Sequence, residues 1–189
     1  MSRSALLFVG GTRSGKSGLA QRWAEARACR RLFLATCRAQ DAEMAERVAR
    51  HQAQRGVGWQ CLEEPLDPLA AVRDFLEQRA AASEPLPGVL LLDCVSIWLA
   101  NLLASDFAPD AALERVAALA AWLETPGLPT AVVSAETGLG IVPGTALGRL
   151  YRDVLGSANQ MLARACPRVI FVSCGLPLAL KGPLPEEIC

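Results

Sequence analysis

The chain has 189 residues, 52% hydrophobic and 20% charged, a balance that fits one globular domain spanning 1–189 and excludes a disordered or fibrous protein. Its 19 basic residues match 19 acidic ones, so no net field draws it to nucleic acid or to an anionic membrane. Seven cysteines without a C-x-x-C pair argue against a disulfide framework or a structural zinc site and point to a reducing, cytoplasmic setting. No apolar stretch reaches the roughly 20 residues of a membrane helix, so no membrane span is expected.

In chain order, short runs apolar on both faces predict strands at 5–9 (ALLFV), 32–36 (LFLAT), 89–92 (VLLL), 130–134 (TAVVS) and 169–173 (VIFVS). A further short strand is expected near 59–62 and an edge strand near 178–181. Helical patterns fall at 16–29, 41–55, 67–82, 95–104, 110–124 and 144–165. The alternation predicts an α/β fold with a mostly parallel (mixed) central sheet and helices on both faces. Residues 37–64 read as an insertion between core strands.

Directly behind the first strand stands "GGTRSGKS", which fits G-x-x-x-x-G-K-[ST] with Gly10, Gly15, Lys16 and Ser17 in register. Glycines let backbone N–H groups curl round a phosphate, and the loop feeds a helix N-terminus of partial positive charge. Gly10, Gly11, Thr12, Arg13, Ser14, Gly15, Lys16 and Ser17 are therefore the predicted phosphate cradle of a P-loop NTPase-like domain. Lys16 would reach the β- and γ-phosphates, and the Ser17 hydroxyl would ligate Mg²⁺. Lysine occurs elsewhere only at Lys181, against a background of arginine, which fits a position where a guanidinium will not serve. Asp93, at the end of "GVLLLD", is the expected second metal-side group; its other reading is a cap on the next helix.

His51, the single histidine, lies in "DAEMAERVARHQAQR" on a stripe with Met44 and Val48. That spacing by itself favours a half-buried histidine packed on the domain. The chemical reading is a neutral imidazole, nucleophilic near pH 7, that attacks phosphorus and passes the group on.

Longer motifs favour the second reading. The segment "LFLATCRAQDAEMAERVARHQAQRGVGWQCLEEPLD", with "LLLDCVSIWLANLL", "GLGIVP", "RLYRDVLGSANQ" and "GLPLALK", resembles the bifunctional adenosylcobinamide kinase / adenosylcobinamide-phosphate guanylyltransferase family of cobalamin biosynthesis, nearly end to end and in order. The resemblance implies two reactions. A nucleoside triphosphate, ATP or GTP, first phosphorylates the aminopropanol hydroxyl of adenosylcobinamide. GTP then guanylylates a histidine, here His51, and GMP passes to the new phosphate. It also implies that Ala35, Thr36, Cys37, Gln52, Ala53, Gln54, Arg55, Glu63 and Asp93 line the nucleotide site, that Mg²⁺ serves as cofactor with a corrinoid as substrate, and that the chain assembles as a homotrimer. The family's S-N-E-V-G is "SAETG" here, with Ala135 for Asn and Thr137 for Val.

Four other readings compete, one of them a chain that keeps the transferase half and has lost the kinase half, which Ala135 leaves open. A plain P-loop small-molecule kinase would need no covalent intermediate, but the D-G-x-P-R acceptor motif of nucleotide kinases is missing. A GTP-dependent switch would read guanine through N-K-x-D, and neither lysine follows an asparagine. A purely structural protein would leave Lys16 replaceable.

Overall fold

The computed structural model describes residues 5–37, 56–105 and 107–188. Among these residues the chain runs β1 (Ala5–Gly10), α1 (Lys16–Arg27), β2 (Arg31–Ala35), β3 (Trp59–Glu63), α2 (Pro68–Ala81), β4 (Val89–Asp93), α3 (Val95–Ala104), α4 (Pro109–Glu124), β5 (Thr130–Ala135), α5 (Ala146–Ala165), β6 (Arg168–Ser173) and β7 (Leu176–Lys181). The helix expected at 41–55 falls outside the described residues. The strands form one mixed sheet in the order β3-β2-β4-β5-β1-β6-β7, parallel throughout except for β7, which returns antiparallel along β6.

Period-two alternation divides the core between the two faces of the sheet. Ala5, Leu7 and Val9 of β1, Leu32 and Leu34 of β2, and Leu90 and Leu92 of β4 face a layer built by α2, α3, α4 and α5. Leu6 and Phe8, Phe33, and Val89 and Leu91 face the other way, onto Leu19, Ala20, Trp23 and Ala24 of α1 and onto Ile188 of a short terminal 3-10 helix. Both faces of the central strands are thus dry. That is why these strands read as unbroken apolar runs and not as alternating ones.

The edges follow different rules. β3 pairs only with β2, in the register Ala35↔Glu63, and exposes Gln60, Cys61 and Glu63. The segment read as an insertion therefore ends in a strand of the main sheet. β7 exposes Leu176, Leu178 and Leu180 on one side of its pleat. Helix starts obey local chemistry. Asp67 accepts from the Ala70 N–H (3.2 Å) ahead of Pro68 at the first turn of α2, and Thr145 accepts from Gly148 (3.1 Å) at the start of α5. The buried stripe of α5 begins only at Val154, and Leu147 in its first turn is 64% exposed.

Phe8 is fully buried on the strand between β5 and β6. Phe8→Ala is expected to cost about 3–5 kcal/mol, read as a lower denaturant midpoint at unchanged slope.

Candidate active site

All the strands from β1 to β6 run parallel, so their C-terminal ends share one edge, the edge where open α/β sheets bind ligands. The cradle forms there. Gly10 closes β1 in register with Ala135 of β5 and Val172 of β6. A side chain at Gly10 has no room: a Cβ would collide with the Val172 carbonyl oxygen and the Ser14 hydroxyl. The loop then turns sharply, with Ser14 N–H donating to the Gly11 carbonyl (3.2 Å). Arg13 and Gly15 are both left-handed, at φ 58° and 95°, the kind of backbone alternation that makes a concave array of N–H groups.

Gly15 leads directly into α1, whose first turn carries no acid to oppose an anion. Lys16 Nζ donates to the Gly11 carbonyl (3.1 Å), so the ammonium group lies across the mouth of the loop. The Gly175 N–H at the β6–β7 turn donates to the Ser14 carbonyl (2.8 Å) and fixes the loop from behind. Thr12 and Arg13 are exposed, Gly11 and Ser17 half-buried, and the Ser14 hydroxyl is buried with no partner among the described residues.

A second group gathers where β3, β2 and β4 end. Glu63, Ala35 and Asp93 lie side by side in register, with Ala35 between the two acids. Asp93 is the last residue of β4, and Cys94 occupies the N-cap of α3. Thr36 is fully buried. Its hydroxyl donates to the Cys94 carbonyl (2.8 Å) and accepts from the Cys94 N–H (3.1 Å), which bolts the end of β2 to the end of β4. Asn101 adds a second bolt: its Nδ2 donates to the Thr36 carbonyl (2.6 Å) and to that of Pro65 (3.2 Å). Burial, reinforced by neighbouring Asp93, pushes the Cys94 thiol up to about 11. A thiol so raised carries no charge near neutral pH and packs as an apolar group. Cys37 follows Thr36 at the same edge and is half-buried. His51, Gln52, Ala53, Gln54 and Arg55 lie outside the described residues.

Between the two groups stands a part the sequence did not mark. Asn159 of α5, a polar residue of the "RLYRDVLGSANQ" segment, is buried. It accepts from the Ser134 hydroxyl (2.6 Å) and donates to the Ala135 carbonyl (2.9 Å). On the other side, the Glu136 N–H donates to the Gly10 carbonyl (3.0 Å). The peptide unit joining Ala135 to Glu136 is thus held at both its carbonyl and its N–H. Glu136 stands half-buried beside the first residue of the cradle.

The comparisons with known proteins agree with this geometry. The family model described as cobinamide kinase / cobinamide phosphate guanyltransferase matches residues 6–180. The chain belongs to that family. Within the cobinamide kinase / guanyltransferase family, it is 43% identical over 176 residues to the bifunctional adenosylcobalamin biosynthesis protein CobP of Pseudomonas aeruginosa, covering 93% of this chain and 96% of that protein. It is 32% identical over 191 residues to the bifunctional adenosylcobalamin biosynthesis protein CobU of Escherichia coli, covering 93% and 99%. Among solved structures, the ATPase domain of another protein superposes with a TM-score of 0.52 at 10% identity, covering 89% of this chain and 69% of that one. That likeness is one of fold alone, and the fold is P-loop NTPase-like.

Because a methyl group at position 10 would press on strand backbone, Gly10→Ala is expected to destabilise by about 1–3 kcal/mol and to abolish nucleotide binding. Thermal unfolding with and without GTP would read both effects, the second as loss of the ligand-induced shift. Alkylation with iodoacetamide should label exposed Cys29, Cys61 and Cys174 in the native protein and reach Cys94 and Cys166 only on unfolding, since burial raises the latter two thiols to about 11 and about 12.

Proposed function

We propose that this protein is a bifunctional enzyme of adenosylcobalamin biosynthesis. It phosphorylates adenosylcobinamide with a nucleoside triphosphate, then transfers GMP from GTP, through a guanylyl group on His51, to adenosylcobinamide phosphate. The observation that carries the reading is the family match across residues 6–180, in a chain whose P-loop closes at the C-terminal edge of a parallel sheet. The nearly full-length relatives named as bifunctional adenosylcobalamin biosynthesis proteins support it.

One cradle serves both reactions in this reading. Backbone N–H groups of residues 11–16 and the Lys16 ammonium hold the β- and γ-phosphates. In the kinase step they stabilise charge on the transferring group; in the transferase step they hold the departing pyrophosphate while the His51 imidazole attacks the α-phosphorus. Ser17 on the first turn of α1 and Asp93 at the end of β4 are oxygen donors of the kind Mg²⁺ takes, one or two protein groups with substrate phosphates supplying the rest. When bound, the ion neutralises phosphate charge. Glu63 and Asp93 flank Ala35 at the nucleotide end of the sheet, where a carboxylate suits the donor edge of guanine.

The corrinoid acceptor is far larger than a nucleotide and needs broad apolar surface. Leu139 and Ile141, 81% and 97% exposed beside the cradle-side end of β5, offer such surface, as do the outward leucines of β7. The same surfaces suit subunit contacts in a homotrimer. No helix among the described residues is long and apolar enough to cross a membrane, in keeping with a cytoplasmic enzyme.

The deciding test mixes the protein with Mg²⁺ and GTP labelled at the α-phosphate, denatures it, and looks for bound label. Wild type should retain an acid-labile, base-stable label, His51→Asn should retain none, and γ-labelled GTP should leave none on either. An unlabelled wild type that still binds GTP sinks the covalent step and leaves a P-loop kinase without it.

A further inference from the structure

The cradle is built to hold an anion, yet the chain places a carboxylate beside its first residue. Glu136 follows β5 directly, and β5 lies alongside β1 with Ala135 in register with Gly10. Adjacent strands are about 5 Å apart, so Glu136 borders the loop that would carry the terminal phosphate. Asp93 is more remote. It is in register with Val133, hence level with Phe8, two residues short of Gly10 and with β5 between its strand and β1. Of the two acids, Glu136 is the one at the height of the cradle.

Its position is also fixed with unusual care. The Ala135 carbonyl accepts from buried Asn159, and the Glu136 N–H donates to the Gly10 carbonyl, so the backbone of this residue is referenced directly to the loop. The Glu136 side chain is itself oriented, with Oε1 accepting from the Gly138 N–H (2.5 Å). An acid next to bound phosphate repels it unless something positive lies between them, and the hydroxyl proton of an acceptor is such a group.

The geometry points to Glu136 as the general base of the phosphoryl-transfer half-reaction, with Asn159 as its positioning residue; this rests on the kinase reading above. The acceptor is an alcohol. Its O–H bond and the bond from the γ-phosphorus to the bridging oxygen break, and a new bond joins the acceptor oxygen to the γ-phosphorus. The nucleoside diphosphate leaves with the electron pair of the broken phosphorus–oxygen bond. The proton passes to Oε2 of Glu136 and from there to water. General-base assistance of this kind is worth on the order of 10²–10⁴ in rate.

Glu136→Gln separates this role from a structural one, because glutamine can still accept from the Gly138 N–H but cannot take a proton. Steady-state phosphorylation of cobinamide by GTP would be followed in wild type, Glu136→Gln and Glu136→Asp, with thermal melts confirming that each is folded. The expected result is a fall in kcat on the order of 100-fold for Gln, a nucleotide KM within about twofold of wild type, and partial recovery with Asp. A Gln variant with wild-type kcat, or one whose loss lies in KM alone, overturns the assignment while leaving the kinase reading intact. A wild type that binds GTP yet phosphorylates no cobinamide overturns the kinase reading, and the Glu136 assignment with it.

Discussion

The hydrogen bond from the Glu136 amide to the Gly10 carbonyl, 3.0 Å long, extends the β1–β5 ladder one step beyond the sheet and into the active edge. Beside that bond Gly10 has no room for a side chain: Val172 presses from β6 and Ser14 folds back from the loop into the space a Cβ would need. The cradle is therefore a continuation of the sheet and not a loop laid over it. Its concavity comes from left-handed Arg13 and Gly15, and its rear is held by Gly175. The proposed phosphoryl transfer would depend on this, since such chemistry offers a protein little covalent work and much geometry to get right.

The same economy appears at the other strand ends. Thr36, Ser134, Asn101 and Asn159 are polar groups in or against the core, and each finds partners: Thr36 on Cys94, Asn101 on Thr36 and Pro65, Ser134 and Asn159 on one another and on Ala135. Each such bond contributes modestly to stability, yet leaving one partner buried and unmet costs about 1–3 kcal/mol, so the network tolerates few alternatives. Its yield is rigidity at the points where β2, β4 and β5 deliver functional residues to the edge. Tyr151 extends the network from α5 by donating to the Ser96 carbonyl (3.0 Å), and burial, followed by the nearby Cys94, raises its phenol to about 12.

Most of the frame was legible in the sequence, for a physical reason. Strands buried on both faces are apolar without interruption, and a phosphate loop must space its glycines and lysine in one way, so β1, β2, β4, β5, β6 and the cradle announced themselves. The edges were fainter. β3 exposes polar residues and β7 exposes leucines, so neither follows the buried pattern. The helical spacing of Asn159 does not tell a phosphate contact, a subunit boundary or a solvated face from a core position; only the contact with Ser134 and Ala135 shows that α5 turns it inward. Glu136 keeps the glutamate of the family's S-N-E-V-G, but that motif does not say what the acid stands beside. A lone acid ahead of a glycine-rich stretch becomes meaningful only when strand register sets it beside Gly10.

Ala135 stands where the family's motif has asparagine. The side chain at that position is small, but the work of the position is done by its backbone, whose carbonyl meets Asn159 and whose strand partner is Gly10. Loss of an amide side chain there leaves the placement of Glu136 untouched. An enzyme that runs two reactions from one phosphate grip must admit a nucleophile to the γ-phosphorus from one direction and to the α-phosphorus from another. Asp93 is in register with Val133 and Glu136 lies three residues beyond Val133, so in the proposed two-step reading the two acids would meet the bound nucleotide at different heights.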